Sequence, residues 1–291
     1  MVRIRVPATS ANLGPGFDCL GMALSLYAEI GFAPRDSGLL ITGCPEEFAT
    51  PDNLIYRAFV HAAQALGKHV PGLAIDVRSD IPPARGLGSS AACVTAGVLA
   101  AGALLNSPLT PEDALTLCAQ LEGHPDNAAA AVYGGIRVSI MAGETVRSLP
   151  VTPHPALCAV ALVPDFPLET ARARRALPER FAREDAVFNL SRAAFLIKSL
   201  EAGAFHLLGD ACQDRLHQPY RFPLVEDGAA LARLARDRGA DACVISGAGP
   251  SLLCLHHDPA FPGRMAAALA PYPAWRALPL EAAPGARVFT E

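Results

Sequence analysis

The chain has 291 residues, of which 51% are hydrophobic and 18% are charged, and its formal net charge is −4. This length suits one large or two medium-sized domains with real cores, and the high apolar fraction excludes an intrinsically disordered protein. The small negative charge provides no global basic field, so we expect no nucleic-acid partner.

The terminus and the cysteines point to a cytoplasmic protein. Residues 1–7 lack the apolar core of a secretory signal, and the Ala-rich run 91–105 is short for a bilayer span, so no membrane association is expected. The eight cysteines include no C-x-x-C pair, and neither they nor the eight histidines cluster at zinc-ligand spacing. We therefore expect reduced thiols in the cytoplasm.

Strand and helix patterns alternate along the first half of the chain. Apolar periodicity predicts helices at 53–66, at 91–105 and from the Thr110-Pro111 start to Glu122. Alternation and β-rich composition predict strands at 2–6, 22–33, 73–77, 136–141 and 145–149.

A proline-rich stretch, residues 150–155, predicts the domain boundary. We assign 1–150 to an N-terminal nucleotide-binding domain and 151–291 to a C-terminal domain. Beyond the boundary, the patterns predict a strand at 157–163, helices at 185–201, 203–215, 225–238 and 261–270, and a strand-loop-strand unit at 242–256. The elements alternate without strict βαβ spacing, which favours mixed α+β layers.

The most informative segment is a glycine loop that leads into the Ala-rich helix. It comprises Pro82, Pro83, Ala84, Arg85, Gly86, Leu87, Gly88, Ser89, Ser90, Ala91 and Ala92. Glycines allow close backbone approach, and a helix N-terminus offers free N–H groups, so this arrangement predicts a phosphate site. A Walker A loop is excluded because its lysine is absent. A dinucleotide fingerprint matches the letters but lacks the preceding strand and the downstream acid.

Two further polar segments are candidates for catalysis or binding. Residues 9–18 place Asn12 and Asp18 around a tight Gly-Pro-Gly turn, although a turn with Asx-type hydrogen bonds explains them equally well. Residues 122–127 gather carboxylates, a histidine and an amide at a helix break. Acids there could hold Mg²⁺ or accept a proton, and a plain polar connection between helices is the alternative.

Arginines and a second glycine loop lie in the C-terminal half. Arg174 and Arg221 could bind a substrate carboxylate, with a solvated basic face as the alternative for Arg174 and its neighbours. Residues 246–251 form a glycine loop between two strands. This loop is either a simple hairpin or a segment that packs against the phosphate loop.

Taken together, these segments resemble the homoserine kinase family of the GHMP kinases. The opening V-P-A-T-S-A-N-L-G-P-G-F-D and the loop P-x-x-x-G-L-G-S-S-A-A are similar to family motifs, and the resemblance extends from Val2 to about His256. It implies a two-lobed α+β GHMP kinase fold with mixed and antiparallel sheets and an ATP site between the lobes. It also implies transfer of the γ-phosphoryl of ATP, with Mg²⁺, to the side-chain hydroxyl of L-homoserine, on the route to threonine.

The resemblance also assigns residues. It implies that residues 82–92 contact the phosphates and that Asn53 contacts the adenine or ribose. Ser90 and Glu122 are implied Mg²⁺ ligands, with Ser89 as the alternative serine. The implied amino-acid-binding positions are Asn12, Asp18, Asn127, Arg174 and Arg221.

The catalytic assignment implied by the resemblance is Asp126, Asn127 and Glu122. Asp126 could act as the base, and an Asn-assisted transfer without a dedicated base is equally compatible. Another small-metabolite kinase of the superfamily, or a non-catalytic regulator that binds a metabolite, are the alternative functions. Family analogy alone suggests a homodimer.

Overall fold

A computed structural model describes residues 1–290, and within that range the strands form two sheets. The first sheet contains β1 (Val2–Ala11), β2 (Leu20–Arg35), β3 (Leu39–Thr42), β4 (Gly72–Ser79), β5 (Ile136–Ala142), β6 (Thr145–Val151) and β11 (Arg287–Thr290). The second contains β7 (Cys158–Pro164), β8 (Ala242–Ile245), β9 (Leu252–His256) and β10 (Trp275–Leu280).

The pairing is mostly antiparallel. The first sheet runs in the order β11-β1-β2-β4-β3, with β5 joined to β2 and β6 joined to β5, and only β3 and β4 are parallel. The second sheet runs β10-β7-β9-β8 and is antiparallel throughout. The predicted mixed and antiparallel sheets are therefore confirmed.

Helices cover these sheets. Their bounds are α1 (Leu54–Ala65), α2 (Ser89–Leu104), α3 (Pro111–Glu122), α4 (Asp126–Tyr133), α5 (Thr170–Arg175), α6 (Arg183–Ala202), α7 (Leu208–Ala211), α8 (Gln218–Arg221), α9 (Gly228–Asp237) and α10 (Phe261–Ala268). None of the helices that residues 1–290 form combines the length and the apolar character needed to cross a membrane.

Local signals explain where the helices around the site begin and end. The Asn53 side chain accepts a hydrogen bond from the backbone N–H of Ile55, and that of Thr110 accepts one from Asp113. Helix α3 ends at Gly123, which adopts the left-handed conformation that glycine tolerates best. These starts and stops agree with the sequence predictions for α1 and α3.

Seven elements differ from the sequence predictions. Helices α4, α5 and α8 and strands β3, β10 and β11 were not predicted. The predicted helix 203–215 is wrong, because α7 ends at Ala211 and an irregular segment follows. The helix does not continue because of Asp214. The Asp214 carboxylate accepts hydrogen bonds from the backbone N–H groups of residues 216–218, and these bonds compete with the hydrogen bonds of a helix.

The core runs across both halves of the chain. Helices α1, α2, α3 and α4 pack on the first sheet, and the buried side chains of this cluster continue into β7, β8 and β9. A separate cluster fills the opposite side of the second sheet beneath α9 and α10. Strand β11 returns from the C-terminal half to pair with β1. The domain division at residue 150 stays a prediction.

Close packing of α1 against α2 generates a testable prediction about stability. A Cβ at Gly97 would meet backbone atoms of Ile55 and Phe59 and the side chain of Ala58. We expect Gly97→Ala to destabilise the fold by about 1–3 kcal/mol, because the overpacked helices must separate. Chemical unfolding measures this change.

The matched control is Gly263→Ala in α10, where a Cβ would meet no atom within 4 Å. That variant should be stabilised by about 0.4–1 kcal/mol, because alanine restricts the unfolded chain. Equal effects of the two substitutions would contradict the packing argument.

Candidate active site

A cavity of about 550 Å³ lies between segments of both halves of the chain. The structure brings most of the predicted site residues into its lining. These are Asn12, Asp18, Ala84, Arg85, Gly86, Gly88, Ser89, Ser90, Ala91, Glu122, Asp126, Asn127, Arg174 and Arg221. The lining also includes residues to which the sequence analysis gave no individual role, namely Ala11, Leu54, Leu121, His124, Thr170, Gly247 and Ala248.

The remaining predicted residues do not line the cavity. Leu87 and Ala92 are buried in the core. Pro82 and Pro83 lie just before the part of the loop that faces the cavity. Asn53 caps α1 and donates a hydrogen bond to the carbonyl of Phe48, while its neighbour Leu54 faces the cavity. Its nucleotide contact stays a prediction.

The glycine loop at residues 82–92 is held by close contacts with two other segments. Gly86 and Gly88 have φ values of 72° and 70°, a region that favours glycine. A Cβ at Gly88 would collide with the Thr9 side chain, and one at Gly86 would collide with the carbonyls of Ser246 and Gly249. The second glycine loop therefore packs against the first, as one of the two sequence interpretations proposed.

Arg85 fixes the loop to the second sheet. Its guanidinium donates hydrogen bonds to the carbonyls of Pro83 at 2.9 Å, Pro164 at 3.2 Å and Asp165. The side chain is thus engaged with backbone.

Ser90 and Glu122 meet at the cavity, from the start of α2 and the end of α3. The Ser90 hydroxyl donates a 2.6 Å hydrogen bond to Glu122 Oε1. Burial raises the pKa of Glu122, although the bond from Ser90 opposes the shift. Two adjacent hard oxygen donors suit Mg²⁺. Ser89 also lines the cavity.

Asp126 begins α4 with its carboxylate buried. Its Oδ1 atom accepts hydrogen bonds from the backbone N–H of Asn127 and from His124 Nδ1, both at 2.7 Å. Burial lowers the pKa of His124, but the bond and charge of Asp126 outweigh burial and raise it overall. One ligand atom each from Asp18, His124 and Asp126 lies within 4.8 Å of the others. The helix break at Gly123-His124-Pro125 was the sequence signal for this histidine.

Asn127 is positioned by a buried hydroxyl. Thr9 Oγ1 lies 2.8 Å from Asn127 Oδ1 and donates to it. Thr9 itself is fully buried beneath Gly88. A single side chain therefore contacts both the glycine loop and the 122–127 segment.

Asp18 and Arg174 form a two-pronged ion pair at the edge of the cavity. Arg174 Nη2 lies 2.9 Å from Asp18 Oδ1, and Nη1 lies 3.1 Å from Oδ2. Burial lowers the pKa of Arg174, yet the bond and charge of Asp18 raise it overall. Asn12 supports this pair, because its Oδ1 accepts from the backbone N–H of Asp18 and its Nδ2 donates to the carbonyl of Gly247.

Arg221 is in a different electrostatic situation. Its side chain is buried, it lines the cavity, and Nη1 donates to the carbonyl of Gly247 at 2.9 Å. Within residues 1–290 its Nε has no hydrogen-bond partner. Burial and the neighbouring charge of Arg174 lower the pKa of Arg221 to about 10. This guanidinium is therefore a buried cation at the cavity wall, and a bound anion would stabilise it.

Comparison with known proteins agrees with this geometry. The GHMP kinases N terminal domain matches residues 53–135, and the GHMP kinases C terminal domain matches residues 196–272. The chain is 46% identical over 261 residues to a homoserine kinase of Gloeobacter violaceus. The matched region covers 87% of this chain and 87% of that relative. The chain belongs to the homoserine kinase family of the GHMP kinases.

Two further comparisons extend the match. A homoserine kinase of Clostridium beijerinckii is 39% identical over 256 residues, covering 88% of this chain and 86% of the relative. The crystal structure of homoserine kinase from Cytophaga hutchinsonii superimposes with a TM-score of 0.87 at 26% identity, covering 99% of this chain and 97% of that one. The predicted family and the predicted GHMP kinase fold are confirmed.

The buried carboxyl of Glu122 generates a prediction about stability without ligands. A raised pKa means that folding favours the neutral form, so Glu122→Gln should stabilise the chain at neutral pH. We expect Tm to rise by about 1–3 °C, an increment typical of a substitution that removes one unfavourably buried charge. The gain should shrink as the pH falls and vanish below the ordinary glutamate pKa of about 4.3, because the carboxyl is then protonated in both states.

Thermal unfolding at several pH values measures this effect. Glu112→Gln is the control, since Glu112 is exposed at the other end of α3 and its charge favours the helix N-terminus. A fall in Tm for Glu122→Gln at neutral pH would refute the argument.

Proposed function

We propose that this chain transfers the γ-phosphoryl group of ATP to the side-chain hydroxyl of L-homoserine, producing O-phospho-L-homoserine for threonine biosynthesis. Membership of the homoserine kinase family supports the reaction. The observation that carries the acceptor assignment is the buried, anion-deficient Arg221 beside the Asp18–Arg174 pair.

Homoserine matches this charge arrangement. Its ammonium can pair with Asp18, and its carboxylate can bind Arg221 together with Arg174. The zwitterion therefore supplies a cation to a site that already holds an acid, and an anion to a site that lacks one. Buried charges are tolerated when they are paired and hydrogen-bonded, so a simple alcohol cannot substitute for the amino acid.

The nucleotide side of the cavity is proposed at the glycine loop. Residues 84–91 bring the N-terminus of α2 and two positive-φ glycines to the lining, an arrangement that favours phosphate oxygens. Ser90 and Glu122 fit a Mg²⁺ ion because both offer hard oxygen ligands 2.6 Å apart. The bound ion would offset negative charge on the phosphates.

Phosphoryl transfer asks mainly for positioning, since the transition state is loose. Asp126 is held by His124 and by the Asn127 backbone, which leaves its Oδ2 atom as the candidate acceptor for the hydroxyl proton. Asn127 is held by Thr9 and can orient the hydroxyl. Both the base role of Asp126 and the Asn-assisted alternative stay predictions.

The proposal includes a location and partners. We propose a cytoplasmic enzyme that acts on free small molecules and does not bind nucleic acid. A homodimer stays a prediction from family analogy.

The first functional prediction concerns Glu122. Glu122→Gln should lower kcat more than it weakens homoserine binding, because the Mg²⁺ ion that this carboxylate would hold offsets negative charge that builds up in the transition state. Steady-state kinetics with both substrates measures the split, and Glu112→Gln is the control for a lost surface charge. Wild-type turnover in Glu122→Gln would remove Glu122 from the metal site.

The second functional prediction concerns Arg221. Losing one partner of a desolvated charge pair typically costs about 2–5 kcal/mol, so Arg221→Ala should cut kcat/KM for homoserine tens to thousands of times. The KM for ATP should change little. The carboxylate-free analogue 3-amino-1-propanol should be a poor substrate of the wild type and should lose much less on Arg221→Ala.

The control is Arg233→Ala, since Arg233 is exposed on α9 and does not line the cavity. Equal losses for homoserine and its analogue would show that Arg221 supports structure and that the carboxylate binds elsewhere.

A further inference from the structure

His217 lies behind Arg221, outside the cavity lining, and its side chain is fully buried. Its Nε2 atom lies 2.7 Å from the carbonyl oxygen of Gly14, and its Nδ1 atom lies 3.3 Å from Arg221 Nη1. A carbonyl only accepts hydrogen bonds and a guanidinium only donates them. Both contacts are satisfied only by the neutral ring with its proton on Nε2.

An aromatic stack completes the support of the arginines. The Phe17 ring stacks on the His217 ring, with centroids 5.3 Å apart. The guanidinium carbon of Arg221 lies 5.2 Å from the Phe17 centroid, and that of Arg174 lies 5.8 Å away. The loop between β1 and β2 thus packs against both the histidine and the two arginines.

Asp214 holds the histidine in place. Its side chain is fully buried and accepts hydrogen bonds from the backbone N–H groups of residues 216, 217 and 218 and from Asn189 Nδ2. Asp214 Oδ2 also lies 3.6 Å from His217 Nε2. Four donors hold this carboxylate, so the segment that carries His217 is held in a single conformation.

We propose that His217 is a positioning residue whose neutral Nδ1 atom directs the Arg221 guanidinium towards the carboxylate of the amino-acid substrate. Its Nε2–H simultaneously ties Arg221 to the Gly14 turn of the loop that carries Asp18. The carboxylate half and the ammonium half of the acceptor site are therefore coupled through one imidazole. This inference rests on the function proposed above.

The charges around the ring are consistent with a neutral form. Asp214 faces it from the segment before α8, Arg221 from α8, Asp18 from the loop after β1, and Arg174 from α5 across Phe17. Burial lowers the pKa of His217, and Arg221 adds to the effect, although Asp214 and Asp18 oppose it. A protonated ring would direct Nδ1–H at a guanidinium N–H and break that contact.

Two substitutions separate the two contacts. His217→Asn keeps an acceptor near the Nδ1 position, whereas His217→Gln keeps a donor near the Nε2 position. We expect His217→Gln to raise KM for homoserine about tenfold to a hundredfold, the effect of losing a hydrogen bond to a charged group, with kcat and the KM for ATP nearly unchanged. His217→Asn should stay within about threefold of the wild type on the same scale.

The analogue 3-amino-1-propanol gives the specific readout. Its kcat/KM should be the same in His217→Gln and in the wild type, because the arginine then has no carboxylate to bind. Equal losses for the two variants, or equal losses for the two substrates, would overturn the positioning role and leave His217 as a core residue.

A measurement on the unaltered chain guards against variants that do not fold. In a long-range ¹H–¹⁵N spectrum of histidine-labelled protein at about pH 5.5, a ring of ordinary pKa is mostly protonated. We expect one ring to remain neutral with its proton on Nε2, distinct from His256, whose Nδ1 bonds to the Asp258 carbonyl. If no ring remains neutral with its proton on Nε2 at this pH, the proposal is overturned. This readout needs no turnover, so it can fail or succeed independently of the proposed reaction.

Discussion

The cavity depends on the contact between two glycine loops that belong to different sheets. Ser246 Oγ lies 2.6 Å from the carbonyl of Gly86 and 2.8 Å from Ser10 Oγ, so one hydroxyl joins three segments. No side chain fits at Gly86, because the carbonyls of Ser246 and Gly249 occupy the space. The same turn continues to Gly247, whose carbonyl accepts from Asn12 and Arg221. The proposed phosphate side and the proposed acceptor side of the cavity are therefore built on one junction.

The charges inside the cavity are balanced unevenly, and the imbalance supports the proposed amino-acid substrate. Asp18 and Arg174 neutralise each other, and the pKa of Arg174 is raised accordingly. Arg221 has a lowered pKa, because it is buried beside a second arginine. An amino acid brings both signs of charge, so it can satisfy Arg221 without leaving Asp18 unpaired.

Several features of the site oppose folding stability. Asn12 and Asp18 adopt positive φ angles of 71° and 52°, which are uncommon for residues with a side chain. Glu122 is held where its charged form is disfavoured. These unfavourable positions gather at the cavity, while the sheets and helices that carry them follow ordinary packing rules. The large core beneath α1 to α4 supplies the support that such a site needs.

The sequence alone determined the glycine loop, the caps of α1 and α3 and the hairpin of β5 and β6, because these depend on short local patterns. The family resemblance in the sequence indicated most of the residues that line the cavity. It could not reveal β11, which pairs with β1 across nearly the whole chain, or α4, whose short Ala-rich stretch gave no distinct period. Nor could it show that Thr9 contacts Asn127, or that His217 contacts Arg221 and Gly14. Residue types show which side chains can bind a charged group. Only the tertiary structure decides which of these charges are already paired, because pairing depends on contacts between residues distant in the chain.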